Sequence, residues 1–271
     1  MNFQGYAPLF WLIGVLFFLI TLLNLFRPIL YPWIRGKIGE AFVARRLRAL
    51  PEEIYKVLHN IILPTVDGIT TQIDHIVVSR FGIFVIETKN YGGWIFGDEK
   101  QAQWTQCCGR GRNAKKSRFQ NPLRQNWRHI CTLADLLQVP QEAFHSVIAF
   151  CGSGELKTEM PANVLYSARL ARYIRSFEQP ILNDEDVETL YLAISAWDAA
   201  AYMAMGAAAH KSALKDGELV KVHTSAGHRA ITNANGQVNG YWNYLRTAYW
   251  SSLVFRRNFL QSYRAQETEY L

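Results

Sequence analysis

The chain is poor in cysteine, and the few it has are not spaced to hold a metal. Four occur in 271 residues, at Cys107, Cys108, Cys131 and Cys151. None forms a C-x-x-C pair, which excludes a zinc framework, and so few thiols do not make a secreted disulfide scaffold. Free thiols in a reducing compartment are the expectation. No Walker-type glycine-rich loop and no internal repeat occurs. Two further absences concern charge. No charged residue lies between Ala7 and Phe26, and no Asp or Glu between Lys100 and Ala134.

The uncharged stretch, APLFWLIGVLFFLITLLNLF, is long enough as a helix to span a bilayer core of about 30 Å. It predicts a transmembrane anchor over residues 7–26. A buried core helix would show a polar face, and the basic start and cleavage site of a signal peptide are missing. Arg27, Arg35, Lys37, Arg45, Arg46 and Arg48 all come after the span and none precedes it. That asymmetry predicts a single-pass protein, N-terminus outside, C-terminal domain in the cytoplasm, most simply in a bacterial inner membrane.

Beyond the span the chain reads as a mixed α/β domain. RGKIGEAFVARRLRAL has helical periodicity, with Ile38, Phe42, Val43, Leu47 and Leu50 on one stripe. YKVLHNIIL, TTQIDHIVVS and GIFVIETKN read as strands, the last two joined by a short hairpin. GGWIFGD and AQWTQ suggest two more, CCGRGRNAKKSR a loop, and PLRQNWRHICTLADLLQV a helix with Pro122 near its start. FHSVIAFCGS reads as a buried strand. NVLYS then gives a strand before a short helix, and the segment from Asn183 a longer helix. The organisation expected is an anchor and juxtamembrane segment over 1–33, a domain over 34–197, and an extension of unassigned role over 198–271.

Strand alternation places Asp74 and Glu87 on faces that a hairpin can bring together, with Lys89 alongside. Two facing carboxylates need a cation between them or a proton on one. Mg²⁺, a hard cation often held by only one or two protein carboxylates, would satisfy this. A lysine beside it could orient water or neutralise charge developing on a phosphate. An ordinary hairpin ending in solvent would carry the same residues. Around them the chain is basic, with a net charge of +7. Lys100, Arg110, Arg112, Lys115, Lys116, Arg118, Arg124 and Arg128 fill the window without acids. Such a segment suits the phosphate backbone of nucleic acid, and equally a solvated loop or anionic lipid headgroups. Trp104, Phe119 and Trp127 could stack on bases, although Trp104 and Trp127 each have a packing role open to them. His75, on the face opposite Asp74, is expected to be packed or hydrogen-bonded.

Taken in order, GKIGEAFVARRL, QIDHIVVSRFGIFVIETKNYGGWIFGD, the Trp of AQWTQ and NPLRQNWRHICTL resemble the nuclease-related domain family of the PD-(D/E)xK nuclease superfamily. The resemblance covers roughly residues 35 to 180. It implies a restriction-endonuclease-like mixed sheet flanked by helices, here preceded by one transmembrane helix. It implies that Asp74 is the metal-binding aspartate, that Glu87 and Lys89 form the E-x-K pair, and that Glu40 assists metal binding from the preceding helix. Gln125 would be the polar residue of the following helix. Metal ligands would be Asp74, Glu87, the Thr88 carbonyl and Glu40, and the cofactor Mg²⁺ or Mn²⁺. Nucleic-acid contacts would come from Arg110, Arg112, Lys115, Lys116, Arg118 and Arg124. The expected function is a membrane-tethered, metal-dependent nuclease acting on nucleic acid, DNA in the first instance. The alternative is a non-catalytic nucleic-acid-binding or scaffolding module at the membrane.

Overall fold

The computed structural model describes residues 7–65, 70–109, 114–213, 223–225 and 228–230. It begins with α1, Ala7–Leu47, one helix of 41 residues. The expected anchor and the expected amphipathic helix are therefore continuous, and α1 crosses position 33 without a break. Leu, Ile and Phe favour this helix, but Pro28 and Pro32 lie inside it. Each lacks an N–H, so the carbonyls one turn earlier lose their bonds at the end of the apolar run. From Trp11 to Ile34 the large apolar side chains stand exposed, Trp11 at 76% and Phe17 at 72%. This is the one helix among the described residues that is long and apolar enough to cross a membrane.

Further along, α1 docks on the domain. Gly39, Val43 and Leu47 are buried at four-residue spacing, so they form one stripe. Ile38 and Phe42, expected on that stripe, are 60% and 44% exposed. The real stripe includes a glycine, because the helix comes close to the sheet there. A Cβ at Gly39 would stand 2.7 Å from the Asn90 Cβ and 3.0 Å from Cys151 Sγ.

The central sheet has five strands in the order β1-β2-β3-β7-β9. They are β1 Tyr55–Pro64, β2 Thr70–Ser79, β3 Gly82–Asn90, β7 Phe144–Cys151 and β9 Val164–Tyr166. The first three are antiparallel neighbours, while β7 and β9 run parallel to β3. A second sheet, β6-β5-β4-β8, fills the connections. Its strands are β4 Gly93–Phe96, β5 Gln103–Cys108, β6 Lys115–Gln120 and β8 Gly154–Leu156. A short pair, β10 His223–Ser225 with β11 His228–Ala230, lies apart in sequence.

Period-two alternation divides the central sheet into two packed faces. Ile76, Val78, Ile83 and Val85 pack under α2 (Pro122–Leu137) and α4 (Asp184–Ala213), on Ile130, Leu133, Leu137, Leu190 and Ile194. Val77, Phe84 and Ile86 pack under α1 and α3 (Leu170–Arg175), on Val43, Leu47, Leu170 and Ile174. With both faces covered, β3 is a nearly continuous apolar run, as buried strands are. The α4 helix continues through position 198, where Asp198 Oδ1 accepts the Ile62 amide at 2.7 Å. It therefore crosses the 197/198 boundary expected from sequence.

The second sheet packs through Ile95 and Trp104 on Ile148, Phe150 and Val164. Trp104 is fully buried and lies 6.2 Å from Phe150, ring parallel to ring. It is core, not a base-stacking surface. Trp127 is 51% exposed, so α2 turns it outward instead of into the core. The segment expected as a loop, CCGRGRNAKKSR, is partly strand. Cys107 and Cys108 end β5, and Lys115–Gln120 forms β6. Apolar patterning does not reveal β6 because it is an edge strand whose side chains are mostly solvated; Phe119 alone packs inward, 4.4 Å from Tyr91.

One buried side chain sets the start of α2. Asn121 Oδ1 accepts the Leu123 amide at 2.9 Å. Its Nδ2 donates to the carbonyls of Asp98 and Glu99 at 3.1 Å and of Gln101 at 2.7 Å. It caps the helix and closes the β4–β5 turn together. Asn121→Ala is expected to cost about 2–4 kcal/mol in denaturant unfolding, since a cap and several buried carbonyls lose their partner at once.

Candidate functional site

The hairpin register decides what β2 and β3 bring together. Its last paired residues are His75 and Ile86. The next step along puts Asp74 opposite Glu87, where the two strands open. There Asp74 Oδ2 accepts the backbone amide of Thr88 at 2.8 Å. Asp74, Glu87 and Lys89 lie on the face covered by α2, at the end of β3 next to the parallel strand β7.

The α2 helix supplies two partners one turn apart. Lys89 Nζ donates to Glu87 Oε1 at 2.6 Å and to Gln125 Oε1 at 2.9 Å. His129 Nε2 stands 3.5 Å from Glu87 Oε2, and its Nδ1 meets Thr71 Oγ1 at 3.0 Å. Gln125 and His129 are four apart, so both reach the same strand. Between them Asn126, fully buried, donates to the Val85 carbonyl at 2.8 Å and to Ser146 Oγ at 2.9 Å. That pair of bonds ties the helix to β3 beside the site and fixes how far Gln125 and His129 reach. His129 was not among the expected residues. The Q-x-x-x-H spacing was available, but only the docking of α2 shows that its polar stripe faces the carboxylates.

The electrostatics separate the two carboxyls. Burial raises Asp74 first and the Glu87 charge second; the Thr88 amide and Lys89 oppose this and Glu40 adds to it, leaving Asp74 at about 7. Burial alone would raise Glu87 too, but His129 and Lys89 outweigh it and hold that carboxyl below its ordinary range. Glu87 is therefore the ionised partner of a buried cation, and Asp74 is the group short of positive charge. Glu40 comes from α1 on the other face and pairs with Lys37 at 2.7 Å. Among the described residues no group of three or more His, Cys, Asp or Glu side chains is arranged to hold a metal ion.

The donors present are oxygens, and the Asp74 carboxyl is held at about 7 by burial first and by the neighbouring charges of Glu87 and Glu40. Such a pair suits a hard divalent cation that keeps several of its waters, as Mg²⁺ does with one or two protein carboxylates. His75 behaves as expected: it is 1% exposed and its Nδ1 lies 2.8 Å from His59 Nδ1. Of the expected nucleic-acid contacts, Lys115, Lys116 and Arg118 are exposed on β6, and Arg124 is exposed on α2 with its guanidinium on the Lys100 carbonyl. Arg110 and Arg112 lie outside the described residues.

The model of the nuclease-related domain matches residues 35–151. A Bacillus anthracis protein described as uncharacterized is 43% identical over 164 residues, covering 59% of this chain and 75% of that protein. No solved structure matches the chain significantly. The matched span begins on the docking half of α1 and ends with β7, enclosing Glu40, Asp74, Glu87, Lys89, Gln125 and His129. With that span and this site in the order the motifs required, the chain belongs to the nuclease-related domain family.

Proposed function

We propose that the protein is a membrane-tethered, divalent-metal-dependent nuclease that hydrolyses phosphodiester bonds, of DNA in the first instance, on the cytoplasmic side of a membrane. The observation that carries this reading is the Glu87–Lys89–Gln125 contact set next to Asp74. An ammonium has three N–H donors. Two are committed, to Glu87 and Gln125. The third is available for a water or a phosphoryl oxygen.

In this role Lys89 holds the attacking water and offsets the negative charge that grows on the non-bridging phosphoryl oxygens. Glu87 and Gln125 fix the ammonium, so its charge is in place before substrate arrives. His129 braces the other Glu87 oxygen, and α2 keeps bulk water from the inner side of the pair. The water oxygen forms the new bond to phosphorus and gives up a proton to solvent as the bond to the leaving oxygen breaks, and solvent returns a proton to that oxygen. Asp74, Glu87 and the Thr88 carbonyl would hold Mg²⁺ or Mn²⁺, with Glu40 in support, and the ion would supply Lewis-acid stabilisation of the phosphoryl charge.

Membrane attachment rests on the apolar part of α1 from Trp11 onward, whose large side chains stand exposed among the described residues. The cations after it argue for a cytoplasmic domain. Substrate would lie along β6, where Lys115, Lys116 and Arg118 form an exposed basic edge. Replacing these three with Gln should weaken DNA binding at low salt and make the log–log salt slope shallower by up to about three. Fluorescence anisotropy across a salt series measures it.

The direct test is the full chain in uncharged detergent with labelled DNA and Mg²⁺ or Mn²⁺. Wild type should cleave, EDTA should stop it, and Asp74→Ala should be inactive. Binding without cleavage by any form would reject the nuclease and leave a tethered binding module.

A further inference from the structure

On the face of the central sheet opposite the proposed active site, the docking end of α1 and α3 enclose a groove of about 520 Å³. Four arginines line it: Arg45 and Arg46 from α1, Arg172 and Arg175 from α3. Phe42, Ala49, Ala168 and Ala171 complete its apolar wall, and Ser167 its polar one. The segments that form it, FVARRLRAL and SARLARYIR, contain no acid. None of the four guanidiniums makes an ion pair among the described residues. Arg46 lies 5.0 Å above the Phe42 ring, and Arg175 Nε donates to the Ala171 carbonyl at 3.2 Å.

Each pair sits in the last turn of its own helix, where a cation is favoured by the helix dipole. That explains arginine at each terminus. It does not explain why two termini converge on one concavity with no carboxylate among the described residues that line it. Four uncompensated cations at close range repel, and an anion between them relieves the repulsion. Guanidinium pairs this way with phosphate oxygens, two N–H bonds at a time. The volume is that of a small-molecule site, and the half-exposed Phe42 offers a flat apolar surface beside the charge.

We infer that this groove binds a soluble polyphosphate anion of nucleotide size, at a site separate from the one that cleaves. A lipid headgroup offers the same phosphate chemistry, but α1 argues for a soluble source. Arg45 lies 19 residues beyond Phe26, about 28 Å along a helix axis, whereas the headgroup layer is only about 5–8 Å deep. The groove lies under α1 and α3, and the site face of β3 lies under α2. An occupant here would act on the packing of α1 against the sheet, so it could tune the enzyme without competing for substrate.

The experiment is thermal unfolding of the full chain in uncharged detergent, with EDTA present, against increasing pyrophosphate and, separately, ATP. Saturable stabilisation is expected, about tenfold weaker or more in Arg45→Gln/Arg172→Gln. These side chains are exposed, so the double variant should melt like wild type without ligand. Lys89→Met/Glu87→Gln, which removes the buried pair together, should keep the response, which separates this groove from the cleavage site and holds whether or not the protein proves to be a nuclease. Any of three results overturns the inference: no saturable shift, an undiminished shift in the arginine double variant, or a shift lost in Lys89→Met/Glu87→Gln. A response to phosphatidylglycerol mixed into the micelles, with none to pyrophosphate or ATP, overturns the soluble-anion assignment.

Discussion

Lys89→Ala is expected to lower kcat for DNA cleavage by about 10²–10³-fold, with a much smaller change in DNA binding. The Lys89 side chain is 14% exposed, and its ammonium rests on Glu87 and Gln125. It makes no contact that a distant phosphate backbone would need. Its loss therefore removes charge where charge develops, not where substrate docks. Removing it also leaves Glu87 buried beside His129 alone, and a broken buried pair can cost about 3–5 kcal/mol. Lys89→Met/Glu87→Gln removes both charges and keeps both shapes. It should recover most of the stability and none of the activity. If stability and activity returned together, Lys89 would be a structural residue only. Lys89→Arg should not rescue the rate, since a planar guanidinium cannot take the position of a compact ammonium between two oxygens. Gln125→Ala should fall between, because the ammonium keeps one of its two anchors.

Asp74→Asn is expected to become more stable than wild type as pH rises, provided metal is removed. Asp74 is raised from 3.8 to about 7 in the folded chain. A carboxyl with a raised folded value binds its proton more tightly when folded. The stability this confers is complete below about 4 and is lost as pH rises to about 7. Glu87 has the opposite sign: its folded value is lowered, so its contribution is present at neutral pH and disappears only in acid. The buried histidines also oppose Asp74; His75 is pushed down to about 3 by burial, then by His59 and Lys37. The difference between wild type and Asp74→Asn cancels these shared terms. In EDTA it should grow from near zero at pH 4 to roughly 2–4 kcal/mol at pH 8 in favour of Asn. Asn can still accept the Thr88 amide, so that bond does not confound the comparison. Saturating Mg²⁺ should reverse the order, because the ion stabilises only the chain that can bind it. A difference that stays flat from pH 4 to 8 in EDTA would mean that Asp74 is not short of positive charge.

Two groups of residues show where sequence reasoning reaches and where it stops. Glu87 and Lys89 are two apart on a strand, so they share a face whatever surrounds them. Asp74 joins them because the Ser79–Gly82 turn sets the register, and every later pair is fixed by it. That constraint is local; the alternation of faces made the meeting possible to foresee, and the register itself came from the structure. His129 is different. It lies 58 positions from Thr71 and 42 from Glu87, and it meets both only through the angle at which α2 crosses the sheet. Asn126 and Asn121 set that angle through bonds to the backbone of other elements, and backbone acceptors leave no mark on a sequence. The β6 strand was hidden for a related reason. An edge strand facing solvent has no apolar alternation to betray it.

Local order thus settled the apolar run of α1, the strand periods and the shared face of Glu87 and Lys89. Each depends on the geometry of one or two neighbouring elements. The structure settled the continuity of anchor and docking helix in α1 and the hairpin register that seats Asp74 beside Glu87; tertiary packing alone settled the arrival of Gln125 and His129 over β3 and the meeting of four arginines beneath α1 and α3. Those contacts join residues tens of positions apart, and their geometry is set by which faces must be buried together, a requirement that no single segment carries.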